Sequence, residues 1–153
     1  IYLSERGAEI ATEEFCVVSR YIDSPFLING LKFDLRIYVL ITCFDPLRIF
    51  IYDEGLTRFA SEPYKHTSSK TNNYVHLTNY SINKKNENFV KNESLEDDNT
   101  GHKWSLSGLM RHFGEVGLDV ELLWSKIYDL IIKTVLACED EVVGNVRRMG
   151  LNR

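Results

Sequence analysis

The run Lys32-Phe33-Asp34-Leu35-Arg36-Ile37-Tyr38-Val39-Leu40-Ile41-Thr42-Cys43-Phe44 restricts the fold of this chain more than any other stretch. Its β-branched and aromatic content predicts an extended strand, and Asn29-Gly30 and Asp45-Pro46 mark turns at its two ends. In a strand, side chains alternate between faces, so Lys32, Asp34, Arg36 and Tyr38 share one side. Phe33, Leu35, Ile37, Val39 and Ile41 form the other, an apolar anchor for a core. Charged groups of mixed sign then stand about 7 Å apart on a rigid element. Such a row can orient a polyphosphate and a second charged ligand without reorganising. The same pattern also fits the solvated outer face of an antiparallel strand.

Around this strand the chain is of globular type, with 153 residues, 44% hydrophobic and 26% charged. A net charge of −4 argues against nucleic-acid binding by bulk charge, while leaving room for a local basic pocket. Cys16, Cys43 and Cys138 form no CxxC pair and sit among apolar neighbours, which predicts buried free thiols in a reducing, cytosolic compartment. No apolar run reaches the ~18 residues of a membrane span, and a membrane partner is not expected. The chain opens on Ile1 without a methionine, as an internal segment of a longer protein would.

Ile1 to Leu3 reads as a strand, Ser4 to Glu14 as a turn or short helix, and Phe15 to Ile22 as a further strand stopped by Asp23-Ser24-Pro25. Phe26-Leu27-Ile28 and the hairpin turn Asn29-Gly30 lead into the central strand, and Arg48 to Glu54 returns antiparallel to it. Gly55 ends that strand, and Leu56 to Ala60 follows as a tight segment carrying Arg58. Ser61 to Asn73 is a surface loop in which Lys70 is either an electrostatic contact or a solvated charge. Tyr74 to Asn83 sets two asparagines, hydroxyl groups and His76 among apolar anchors, the composition of a polar binding segment or of a capped turn. His76, between Val75 and Leu77, reads as structural. Residues 85–100 form an exposed, flexible insertion, rich in Lys and Asn and then acidic. Ser105 and Asp119 cap two packing helices, the second with an apolar stripe to about Val142. The fold class is α+β, an antiparallel meander followed by two helices.

Three motifs occur in order: Lys32-Phe33-Asp34-Leu35-Arg36; Tyr52 to Ala60 with Glu54-Gly55 and Arg58; and His76-Leu77-Thr78-Asn79-Tyr80-Ser81-Ile82-Asn83-Lys84-Lys85. With Asp45-Pro46-Leu47-Arg48-Ile49 between them and His102-Lys103-Trp104 after them, they resemble the tubulin tyrosine ligase-like family, most closely its glutamylating branch, over nearly the whole chain. The resemblance implies an ATP-grasp fold of which residues 1–153 are the central part. It also implies an ATP- and magnesium-dependent ligase that activates an acceptor carboxylate as an acyl phosphate and joins free glutamate to glutamate side chains of tubulin tails.

By that resemblance Ser19, Arg20, Tyr21 and Ile22 meet adenine; Lys32, Phe33 and Asp34 contact the nucleotide; and Arg36 lies beside the reacting groups. Arg58 holds the incoming amino acid and the reaction centre, Thr78 and Asn79 line the nucleotide pocket, and Tyr80, Ser81 and Lys103 surround the incoming glutamate. Magnesium ligands and a phosphate-gripping lysine are expected beyond the two ends, so that Asp97, Asp98 and Glu139-Asp140-Glu141 are not metal ligands and the piece alone is inactive. Tubulin or microtubules are the expected partners of a monomer in the cytoplasm and cytoskeleton, cilium or basal body included. Lys65, Lys70, Lys84 and Lys85 are candidates for docking an acidic tail. Two alternatives are a glycine or tyrosine ligase of the same family, and a nucleotide- or microtubule-binding module without catalysis.

Overall fold

The structure, a computed structural model, describes residues 17, 19–65, 72–91 and 100–150. Four strands, β1 (Leu27–Ile28), β2 (Leu31–Phe44), β3 (Leu47–Phe59) and β4 (Lys103–Ser105), form one antiparallel sheet in sequence order. The predicted meander is therefore present. Asn29 and Gly30 turn β1 into β2 with φ of 52° and 75°, the left-handed pair that a tight hairpin requires, and Leu27 pairs with Lys32.

Gly55 does not end β3, which runs unbroken to Phe59. The reason is a close approach between strands: a Cβ on residue 55 would lie 2.3 Å from the Arg36 carbonyl oxygen. Glycine is there for close backbone approach inside a strand, not for a break. Phe15 to Ile22 is also corrected in part, since Val17 and Ser19 to Ile22 are outside any strand. The elements expected for residues 1–14, with Phe15, Cys16 and Val18, lie outside the described residues, as do Lys70 and residues 92–99.

The chain forms two compact units, one of residues 1–35 and 57–104, the other of 36–56 and 105–153. In the first, Phe26, Phe33, Phe59 and Trp104 make a continuous aromatic row with centroid spacings of 6.4, 5.6 and 4.8 Å. Ile28, Ala60, Val75 and Leu77 are buried in the same unit. The alternation of β2 thus delivers Phe33 to a core, as its apolar face demands.

In the second unit, α3 (Leu106–Glu115) and α4 (Val120–Arg148) are the two expected helices. Ser105 Oγ accepts from Gly108 N–H, and Asp119 Oδ1 accepts from Leu122 N–H, satisfying donors at each helix start. Leu106, Leu109 and Phe113 are buried, whereas α4 buries only Val135. The thiols follow that thin core: Cys43 is half-buried and Cys138 exposed, not enclosed as expected. Val39, on the predicted apolar face of β2, is likewise 39% exposed.

Candidate functional site

Lys32 is a cation of the first unit with several fixed neighbours. Its ammonium donates to the Tyr21 hydroxyl at 3.2 Å and to the His76 carbonyl at 2.9 Å, and stands 4.5 Å from the centre of the Tyr21 ring. Burial lowers its pKa from 10.5, an effect opposed by the field of Asp34. Tyr21 is fixed in turn by a 2.8 Å hydrogen bond to His76 Nδ1. Burial, then hydrogen bonding with Tyr64, raises the phenol's pKa and keeps it protonated. His76 is buried; its Nδ1 pairs with Tyr21 and its carbonyl with Lys32, while its Nε2 has no hydrogen-bond partner among the described residues.

Two residues along the same strand face, Asp34 is gripped by Arg58 in a two-pronged pair, Nε to Oδ1 at 2.9 Å and Nη2 to Oδ2. The sequence treated these groups as separate ligand contacts. The structure joins them, because β3 continues through Gly55 and carries Arg58 to β2. Arg36 belongs to the second unit and its side chain is exposed. Phe33 sits in the aromatic row, so its ring is a packing group.

The polar segment folds as two short helices, α1 (Asn73–His76) and α2 (Tyr80–Asn83), with Leu77, Thr78 and Asn79 between them. Asn83, fully buried, secures the turn. Its Oδ1 accepts from Ser61 N–H (2.8 Å) and Ser61 Oγ (2.7 Å), and its Nδ2 donates to the carbonyls of Leu77 (2.8 Å) and Asn79 (3.1 Å). Thr78 and Asn79 are thereby pinned at their backbone while staying half-buried, and Asn79, at the α2 N-cap, makes no side-chain cap bond. Sequence reading counted Asn83 within the motif but gave it no role; the signal was its place at the motif's end.

Tyr80 and Ser81 are exposed on α2, and Lys103 is exposed on β4. A chain of rings connects them: Tyr80 meets Phe89 at 5.8 Å, and Phe89 stacks on His102 at 5.4 Å, next to Lys103. Val90 N–H donates to His102 Nδ1 at 3.0 Å, and Asn86 Nδ2 donates to Glu62 Oε1 at 2.9 Å. Residues 85–91 are mostly exposed, and these two hydrogen bonds tie Asn86 and Val90 to the unit. Arg20, Tyr21, Ile22, Asp23 and Ser24 line a cavity of about 370 Å³, the size of a small-ligand pocket, while Ser19 is exposed beside it in sequence.

These groups can do two things chemically. A half-buried ammonium with fixed neighbours binds phosphate oxygens, and an oriented guanidinium stabilises a carboxylate or a developing anion. Tyr21 belongs both to the Lys32 contacts and to the cavity lining. Among the described residues no three His, Cys, Asp or Glu side chains converge to hold a metal ion.

An antiparallel α+β domain of this kind, with its strand cations and polar Leu-Thr-Asn turn, is ATP-grasp-like. The chain belongs to the tubulin-tyrosine ligase family, whose sequence profile matches residues 1–151. It is 47% identical over 144 residues to the tubulin polyglutamylase ttll-5 of Caenorhabditis elegans, covering 93% of this chain and 20% of that protein. It is 45% identical over 154 residues to the mouse tubulin monoglutamylase TTLL4, covering all of this chain and 13% of that protein. With the human tubulin polyglutamylase TTLL5 the identity is 44% over 140 residues, 91% of this chain and 11% of the relative. The chain thus spans a fifth or less of the length of these relatives.

Proposed function

We propose that this chain is the central part of an ATP-dependent ligase that adds glutamate, through an isopeptide bond, to glutamate side chains of tubulin C-terminal tails. ATP supplies the γ-phosphoryl group that turns an unreactive acceptor carboxylate into an acyl phosphate, and ADP leaves. Attack by the amine of free glutamate then forms one amide bond and releases phosphate.

Within that reaction Lys32 binds phosphate oxygens, and the segment Ser19 to Ile22 borders the base. Thr78 and Asn79 line the same nucleotide pocket through a hydroxyl and an amide that can donate and accept. Asp34 orients Arg58, whose guanidinium holds the carboxylate of the incoming glutamate. Tyr80, Ser81 and Lys103 receive the side-chain carboxylate, for which a cation is required.

The observation that carries this reading is the pairing of two fixed cations in one unit, Lys32 held by neutral partners and Arg58 held by Asp34. The names of the relatives, polyglutamylases and a monoglutamylase, support glutamate over glycine or tyrosine and support action on the microtubule cytoskeleton. Tubulin incubated with the full-length protein, ATP, magnesium and each amino acid in turn, then measured by mass spectrometry, should gain mass with glutamate alone. Arg58→Ala should abolish the gain. Nucleotide binding with no transfer of any amino acid would refute the ligase and leave a binding module.

A further inference from the structure

An ammonium has three N–H donors and no acceptor. Lys32 gives one to the Tyr21 hydroxyl and one to the His76 carbonyl, which leaves a single donor for a ligand. A lysine whose four-carbon stem could otherwise sample many rotamers is therefore held with its remaining N–H in one direction. The Tyr21 ring adds a face toward the same ammonium, 4.5 Å from its centre.

Tyr21 itself has little freedom. Its hydroxyl lies 2.8 Å from Nδ1 of the buried His76, and the two rings meet edge to face at 5.6 Å. Tyr64 closes on the other side, edge-on to His76 at 5.6 Å, with its own hydroxyl donating to the Asp23 carbonyl at 2.8 Å. Asp23 and Tyr21 both line the 370 Å³ cavity. The side chain of Tyr21 thus couples the cavity wall to the lysine.

We propose that Tyr21 is a positioning residue, whose hydroxyl and ring hold the Lys32 ammonium in the orientation that meets the nucleotide phosphates. The assignment rests on the nucleotide-site reading above and adds a side-chain role to a residue expected there only as part of the adenine segment. His76 serves twice in it, by its ring through Tyr21 and by its carbonyl directly.

The test is a double-mutant cycle in the full-length protein, read by the Kd of a fluorescent ATP analogue and, in parallel, by KM for ATP and kcat of glutamate transfer. Tyr21→Phe removes the hydroxyl and keeps the ring; a hydrogen bond to a charged group of this exposure corresponds to about a tenfold rise in Kd and KM. In a Lys32→Ala background the same substitution should change Kd less than about twofold, because nothing remains to be positioned. An unchanged Kd in Tyr21→Phe, or an equal rise with and without Lys32, would overturn the assignment. So would a fall in kcat and melting temperature at constant KM, the pattern of a merely structural tyrosine. Binding with no glutamate transfer in the unmutated protein would defeat the ligase reading alone. Absence of any nucleotide binding would defeat both.

Discussion

Replacing Asn83 by alanine should uncouple the Thr78-Asn79 turn from the strand region that supports it. The four hydrogen bonds of this fully buried amide fix its orientation: the oxygen faces the two Ser61 donors, and the nitrogen faces the carbonyls of Leu77 and Asn79. At a net contribution near 1 kcal/mol each, their joint loss costs about 4 kcal/mol, and stranded buried donors would raise rather than lower that figure. Asn83→Asp is the sharper companion. It keeps an acceptor for Ser61 but turns an anion toward two carbonyls, so it should be at least as destabilising. Amide hydrogen exchange in the full-length protein reads the effect at the Ser61 N–H, whose acceptor disappears in Asn83→Ala. Protection there should fall by about a thousandfold, the factor to which 4 kcal/mol corresponds. A change of less than tenfold in Asn83→Ala would mean that Asn83 is not the tie, and that Thr78 and Asn79 are held by something else.

Three further outcomes follow from the same geometry. Gly55→Ala would bring a methyl group to 2.3 Å from the Arg36 carbonyl oxygen and 3.2 Å from Leu106 Cδ2. The clash is with backbone, so a loss of about 2–3 kcal/mol is expected, measurable as a lower melting temperature. Arg58→Ala and Arg58→Lys should both lose glutamate transfer, since an ammonium cannot reproduce the two-pronged grip on Asp34. Their melting temperatures should change little, because the partners are 27% and 34% exposed and the pair is worth about 1 kcal/mol or less to stability. Glu54 is held below its ordinary pKa of 4.5 first by a hydrogen bond from Ser107, then by the N–H groups of Gly55, Ser107 and Leu106, against the opposing effect of burial. The folded state then binds the proton less readily than the unfolded chain, so the stabilisation is present above pH 4.5 and lost as pH falls through the depressed value. Thermal melts of the protein and of Glu54→Gln should accordingly differ most above pH 4.5 and converge below it.

Local signals were enough for the meander and the caps. Asn29-Gly30, Ser105 and Asp119 each act through their own side chain or backbone on residues within a few positions, and each is where the sequence puts it. The misreadings share a different cause. Gly55 resembles a strand end in one dimension; only the approach of the Arg36 carbonyl, nineteen positions earlier, makes it a strand interior. The same holds at the site: Lys32, Asp34 and Arg58 were legible as charged residues on strand faces, but which of them pair is set by β3 crossing to β2. Asn83 stood in the motif without a role, because the Ser61 donors that its oxygen accepts from lie 22 positions away.

Those pairings decide how charge is distributed along the row. Asp34 neutralises Arg58 through two hydrogen bonds, so the guanidinium is held in plane with little net field of its own. Lys32 is different, since the groups it donates to are a phenol and a peptide carbonyl, both uncharged. Neutral dipoles orient an ammonium without cancelling its charge, and partial burial strengthens its field on an anion that enters beside it. In the proposed ligase Lys32 would then supply attraction, moderated by the field of Asp34, and Arg58 geometry. The same division explains why the two cations need different residue types: a point charge suits a polyphosphate with many equivalent oxygens, and a fork suits a single carboxylate whose plane must be fixed. Exchanging the two, with Arg at 32 and Lys at 58, should preserve the row's net charge and still lose function.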